Sequence, residues 1–86
     1  MILSIDPGPE QSAYVLLDDN YRIIKFDICK NDLMFSNIQY MAGYDTVVIE
    51  MIASYGMPVG AEVFETCVWI GRFIQASKCK VERLLS

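Results

Sequence analysis

Hydrophobic and polar positions change period several times along the chain, and each change marks an element. Ile2, Leu3 and Ile5 form a nearly continuous apolar run, which predicts a buried strand over residues 1–6. Pro7-Gly8-Pro9 ends it, because proline has no N–H for a ladder and glycine permits a sharp turn. Ser12–Leu17 predicts a second strand, and Asp18-Asp19-Asn20 is hairpin-turn chemistry. Alternation continues over Tyr21–Cys29, a predicted third strand. Tyr21, Ile23, Lys25, Asp27 and Cys29 share one face; Arg22, Ile24, Phe26 and Ile28 share the other, which is assigned to the core.

The period then lengthens to that of a helix. Asn31 or Asp32 is positioned to cap a helix whose buried side is Met34, Ile38, Met41 and Ala42, with Gly43 ending it. Thr46–Met51, "TVVIEM", is β-branched and apolar, as a central strand requires. After "IASYGMPVG" a second helix is predicted at 61–77, with Phe64, Cys67, Val68, Gly71 and Ile74 on the face toward the sheet. Glu62, Thr66, Trp69 and Phe73 fall on the opposite face. Trp69 and Phe73 then either face a further helix or subunit, or stand as isolated surface aromatics. Lys80–Leu85 begins a fifth strand. The order β-β-β-α-β-α-β predicts one α/β domain over residues 1–86. Its three-strand antiparallel meander is followed by parallel strands with right-handed crossover helices, giving a mixed sheet.

Composition changes this picture in two places. The 86 residues are 53% hydrophobic, with a mean hydropathy of +0.30. That is oily for a chain that buries only about 60% of its unfolded surface, so apolar faces covered by something outside the chain are expected. Glu62 and Glu65 interrupt the best apolar run, which excludes a membrane span. Met1 leads straight into a strand without a basic leader, and a cytoplasmic location is expected. Cys29, Cys67 and Cys79 are odd in number, with no CxxC and no histidine, and read as buried free thiols. The net charge of −4 disfavours a nucleic-acid partner, but residues 61–86 carry four basic and three acidic groups against three and eight before them.

Candidate chemistry begins with Asp6, an acid closing the apolar run "ILSID". Glu50 closes "TVVIE" in the same way. If the two strands pair in parallel, both carboxylates emerge at one edge of the sheet, where ligand sites of open sheets form. Two acids in a partly dry place stay ionised together when a cation lies between them. Hard oxygen donors suit Mg²⁺ or Mn²⁺, which retain waters and accept phosphate oxygens; a metal pair about 3.5–4 Å apart supports phosphodiester hydrolysis. The alternative is structural: an Asp before Pro-Gly forms turns, and a Glu at a strand end is often solvated.

The runs "ILSIDPGPEQSAYVLLD" and "VVIEMIASYGMPVGAEVFETCVWIGRF", in this element order, resemble the RuvC-like Holliday-junction resolvases of the ribonuclease H-like superfamily. The resemblance implies a ribonuclease H-like fold and a Mg²⁺- or Mn²⁺-dependent endonuclease acting on branched DNA as a dimer. It implies that Asp6 and Glu50 ligate the catalytic metal, that Gly8 lets the backbone pass close to the site, and that Gly71 packs a helix on the sheet. Tyr55 is placed to stack on a base or sugar, or to cover the core. Lys78, Lys80 and Arg83 are either phosphate contacts or a solvated patch. The family adds one or two acids on a helix after the fifth strand. The chain stops before such a helix, so the expectation is a piece of a longer protein, inactive alone. A non-catalytic dimerisation or scaffold module of the same fold is the rival reading. A nucleotide-binding actin-like fold is a third, and it lacks its further glycine loops here.

Overall fold

Two turns set the antiparallel half of the fold. The computed structural model describes residues 1–52 and 60–85. Strand β1 (Ile2–Asp6) passes through the Pro-Gly-Pro turn into β2 (Gln11–Leu17), and a hairpin leads to β3 (Ile23–Lys30). At the hairpin, the Asp18 carboxylate accepts hydrogen bonds from the backbone N–H groups of Asn20 (2.8 Å) and Arg22 (2.9 Å). The chain then reverses at Tyr21, which takes a left-handed φ of 61°. That conformation removes Tyr21 and Arg22 from β3, which therefore starts later than alternation predicts.

Helix α1 (Asn31–Tyr40), strand β4 (Thr46–Met51), helix α2 (Ala61–Ala76) and strand β5 (Lys80–Leu85) complete the chain. The five strands form one sheet in the order β3-β2-β1-β4-β5, antiparallel on the meander side and parallel from β1 to β5. The predicted element order and mixed α/β sheet are those observed.

One face of the sheet carries the core. Leu3 and Ile5, Tyr14 and Leu16, and Val47 and Ile49 are buried there with Met34 and Ile38 of α1 and Ile70, Phe73 and Ala76 of α2. The alternate residues of the same strands point to the other face. Cross-strand partners place Phe26, Val15, Ser4, Val48 and Glu82 in one row on it, with Ile28, Ala13 and Asp6 in the next. Phe26 is 72% exposed and Ile28 63%. Among the described residues, no element covers this face.

The one-sided arrangement overturns three expectations. The Ile24, Phe26 and Ile28 face of β3 is exposed, and only Cys29, from the opposite face, is buried. Helix α2 is turned over: Thr66, Ile70, Phe73 and Ala76 face the sheet, while Phe64, Cys67, Val68 and Gly71 are exposed. Gly71 has nothing within 4 Å of where a Cβ would stand, so it packs against no strand. Helix α1 ends at Tyr40, leaving Ala42 exposed beyond it, and Gly43 (φ 97°) follows as a turn residue. The thiols are free as expected, yet Cys67 is exposed. Burial raises the Cys29 and Cys79 thiols above their ordinary range, with Asp27 and Asp45 respectively adding to the effect.

A candidate metal-binding carboxylate pair

The position of Asp6 and Glu50 follows from strand register. β1 and β4 run parallel, with Ile2 opposite Thr46 and each following pair in step up to Ile5 opposite Ile49. Asp6 and Glu50 are the next residues on each strand, level with one another at the C-terminal edge. Neighbouring strands lie about 4.8 Å apart, so the two carboxylates spring from adjacent backbone positions. Both are on the open face, because Ile5 and Ile49 beside them face the helices. Asp6 is exposed and Glu50 half-buried.

Their surroundings are mostly apolar. Ala13 is opposite Asp6 and Leu84 is opposite Glu50, so the row reads Ile28, Ala13, Asp6, Glu50, Leu84 across the sheet. A depression of about 130 Å³ is lined by both acids with Ser4, Val15, Val48 and Leu84. Among the described residues, neither carboxylate has an ion-pair partner and no third His, Cys, Asp or Glu joins them as a set. Two carboxylates with open solvent around them match the protein share of a Mg²⁺ shell, which usually keeps several waters. Among these described residues, a second metal ion has no ligands of its own.

A buried polar network fixes the turn that follows Asp6. The Ser12 hydroxyl donates to Asn31 Oδ1 (2.5 Å), and Asn31 Nδ2 donates to the Gly8 carbonyl (2.9 Å). The Gly8 N–H donates to Ser12 Oγ (3.3 Å), and the Asn31 N–H donates to the Glu10 carbonyl (3.0 Å). Ser12 and Asn31 are both buried. The network ties the turn to β2 and to the first residue of α1. Gly8 has a steric role within it, since a Cβ there would collide with the Gln11 carbonyl oxygen. Asn31 therefore does not cap α1; Lys30 holds that position, without a side-chain cap. The signal for this network was Ser12 itself, a polar residue in phase with the core positions Tyr14 and Leu16.

The other candidates lie elsewhere. Lys80 is level with Thr46 at the opposite edge, four residues or about 13 Å from Glu50, and pairs with Glu82 at 3.0 Å. Lys78 precedes it, at that same far edge. Arg83 is level with Ile49 and so on the helix side of the sheet. None of the three adjoins the carboxylates. Tyr55 lies outside the described residues. A concavity of about 650 Å³ is also remote from the acids and opens between α1 and α2.

No protein-family model matches the chain, and no curated protein matches its sequence. Among the described residues, no helix is long and apolar enough to cross a membrane.

Proposed function

We propose that the chain is the strand-and-helix framework of a ribonuclease H-like, RuvC-like endonuclease that hydrolyses phosphodiesters in branched DNA. The observation that carries this reading is the level pairing of Asp6 and Glu50 at the C-terminal edge of adjacent parallel strands, with no ion-pair partner among the described residues. Two carboxylates level on adjacent strands are a hard oxygen-donor pair of the kind that suits a hard cation. Asp6 and Glu50 would hold Mg²⁺ or Mn²⁺. When bound, the ion stabilises charge on a phosphate oxygen and lowers the pKa of a coordinated water. The chain's own contribution is placement: β1 and β4 hold the two carboxylates in step, and the Ser12–Asn31–Gly8 network fixes the turn beside Asp6.

The lack of a third acidic ligand among the described residues favours a second reading, a non-catalytic module of the same fold. One set of variants separates the two. Mn²⁺ binding, followed by the loss of its electron paramagnetic resonance signal, is measured on the chain, Asp6→Asn and Glu50→Gln. Cleavage of a labelled four-way DNA junction in Mg²⁺ is measured on the product of the complete reading frame. Asp6 is exposed, Glu50 is half-buried, and neither has an ion-pair partner among the described residues, so both variants are expected to stay folded by circular dichroism. The nuclease reading expects either change to abolish both Mn²⁺ binding and cleavage. Cleavage that survives in either variant sinks it. Mn²⁺ binding without cleavage by the wild-type product assigns the chain to the scaffold reading.

A further inference from the structure

Ser4 brings a hydroxyl to the depression that holds the carboxylate pair. Leu3 and Ile5 are buried against the helices, so Ser4 between them points to the open face, on the same strand and the same side as Asp6. Its partners across the sheet are Val15 on β2 and Val48 on β4, two residues back from the level of Ala13, Asp6 and Glu50. Ser4 and both acids line the same depression of about 130 Å³, and the other side chains that reach it from the open face, Ala13, Val15, Val48 and Leu84, are apolar. Ser4 is half-buried, and among the described residues its hydroxyl makes no hydrogen bond.

Packing does not call for that hydroxyl, because valine stands on either side of it in the row. Strand geometry sets what it can reach. Two residues of strand span about 6.7 Å. A Mg²⁺–oxygen bond is about 2.1 Å long and an O–H···O hydrogen bond about 2.8 Å. An ion held between Asp6 and Glu50 is therefore beyond a direct bond to Ser4, whereas one coordinated water covers most of the gap. The depression has room for such waters. A water directed back along the sheet needs an acceptor, and the side chains of Val15, Val48 and Leu84 supply none.

We infer that Ser4 is a positioning residue of the metal site, its hydroxyl accepting a hydrogen bond from a water carried by an ion on Asp6 and Glu50. This role rests on the metal reading of those two acids. Through that water Ser4 anchors the ion toward the sheet and leaves its remaining positions turned to solvent, where a phosphate oxygen enters. Groups that hold a metal's ligands from behind carry about 10–100-fold in metal affinity. A single hydroxyl acting through water at a half-open site belongs at the lower end of that range.

Titration of the chain with Mn²⁺, followed by loss of the free-ion electron paramagnetic resonance signal, tests this, with urea unfolding as the check on folding. Ser4→Ala removes only the hydroxyl and is expected to raise the Mn²⁺ dissociation constant about tenfold while leaving stability unchanged. Ser4→Thr keeps a hydroxyl on a side chain that suits a strand and is expected to bind as wild type does. Val48→Ala, level with Ser4 on the next strand, reshapes the depression without touching a hydroxyl and is expected to leave Mn²⁺ affinity in place. If wild type binds Mn²⁺ and Ser4→Ala binds it equally well, the role of Ser4 is overturned and the carboxylate pair stands. An equal loss in Val48→Ala, or a Ser4→Thr chain as weak as Ser4→Ala, has the same meaning. A wild-type chain that binds no Mn²⁺ overturns the metal reading itself, and the role of Ser4 with it.

Discussion

Asn31 shows how a side chain's role is decided by what surrounds it. Its sequence position before an apolar helical pattern suits a cap, but the side chain is buried and bridges Ser12 to the Gly8 carbonyl. Removing it leaves the Ser12 hydroxyl and the Gly8 carbonyl short of a partner in a dry place, where an unmade hydrogen bond costs about 1–3 kcal/mol. Asn31→Ala is therefore expected to lower the unfolding free energy by about that amount in urea titration. A cap would lose less here, because α1 begins without a side-chain cap bond in any case. An Asn31→Ala protein as stable as wild type would remove the network from the account of how Asp6 is held. Tyr21 is a smaller example, since its left-handed φ belongs to glycine or asparagine on sequence grounds and no pattern announced it.

Element order was legible because it rests on local signals: proline-glycine punctuation, a hairpin turn, and β-branched runs; the start of β3 and the end of α1 were not. The parallel pairing of β1 with β4, which sets Asp6 level with Glu50, entered the sequence reading as a condition that the element order allowed, and the register meets it. The faces of α2 were not legible, because periodicity tells which residues share a side and not which side is covered. Phe64, Cys67 and Val68 made one face at least as apolar as the face holding Thr66 and Phe73. Thr66 can be buried because its hydroxyl donates to the Glu62 carbonyl at 2.8 Å, so no polar group is left unpaired. Two substitutions report the orientation, both measured by chemical denaturation at low protein concentration. Phe73→Ala empties the centre of the core and is expected to cost about 3–5 kcal/mol. Gly71→Ala meets nothing within 4 Å and replaces a weak helix former, so a gain of about 0.5–1 kcal/mol is expected. Destabilisation by Gly71→Ala would mean that this face packs on the sheet after all.

At the scale of the molecule, the fold is two layers with both helices on one side, and this explains why β3 was misread. The row Phe26, Val15, Ser4, Val48 is as well patterned as the core row beneath it, and the alternation that marks a strand is the same for a covered face and an open one. For this face the oily composition was the hint that some apolar surface stays uncovered among the described residues. The consequence can be measured. An apolar dye that fluoresces in dry environments is expected to bind the folded protein at this face, where Phe26, Ile28 and Ile24 are all exposed. Phe26→Thr and Ile28→Thr keep β-branched or strand-compatible side chains at positions 72% and 63% exposed. Together they are expected to remove most of the dye signal while changing stability by no more than about 0.5 kcal/mol each. Leu3→Ala, on the covered face of the central strand β1 and fully buried, is expected to cost about 2–5 kcal/mol and to leave the dye signal in the folded state intact. If Phe26→Thr instead destabilised the chain as Leu3→Ala does, the face would have to be covered within the chain itself. The carboxylate pair would then lie in a closed layer instead of at the edge of an open one.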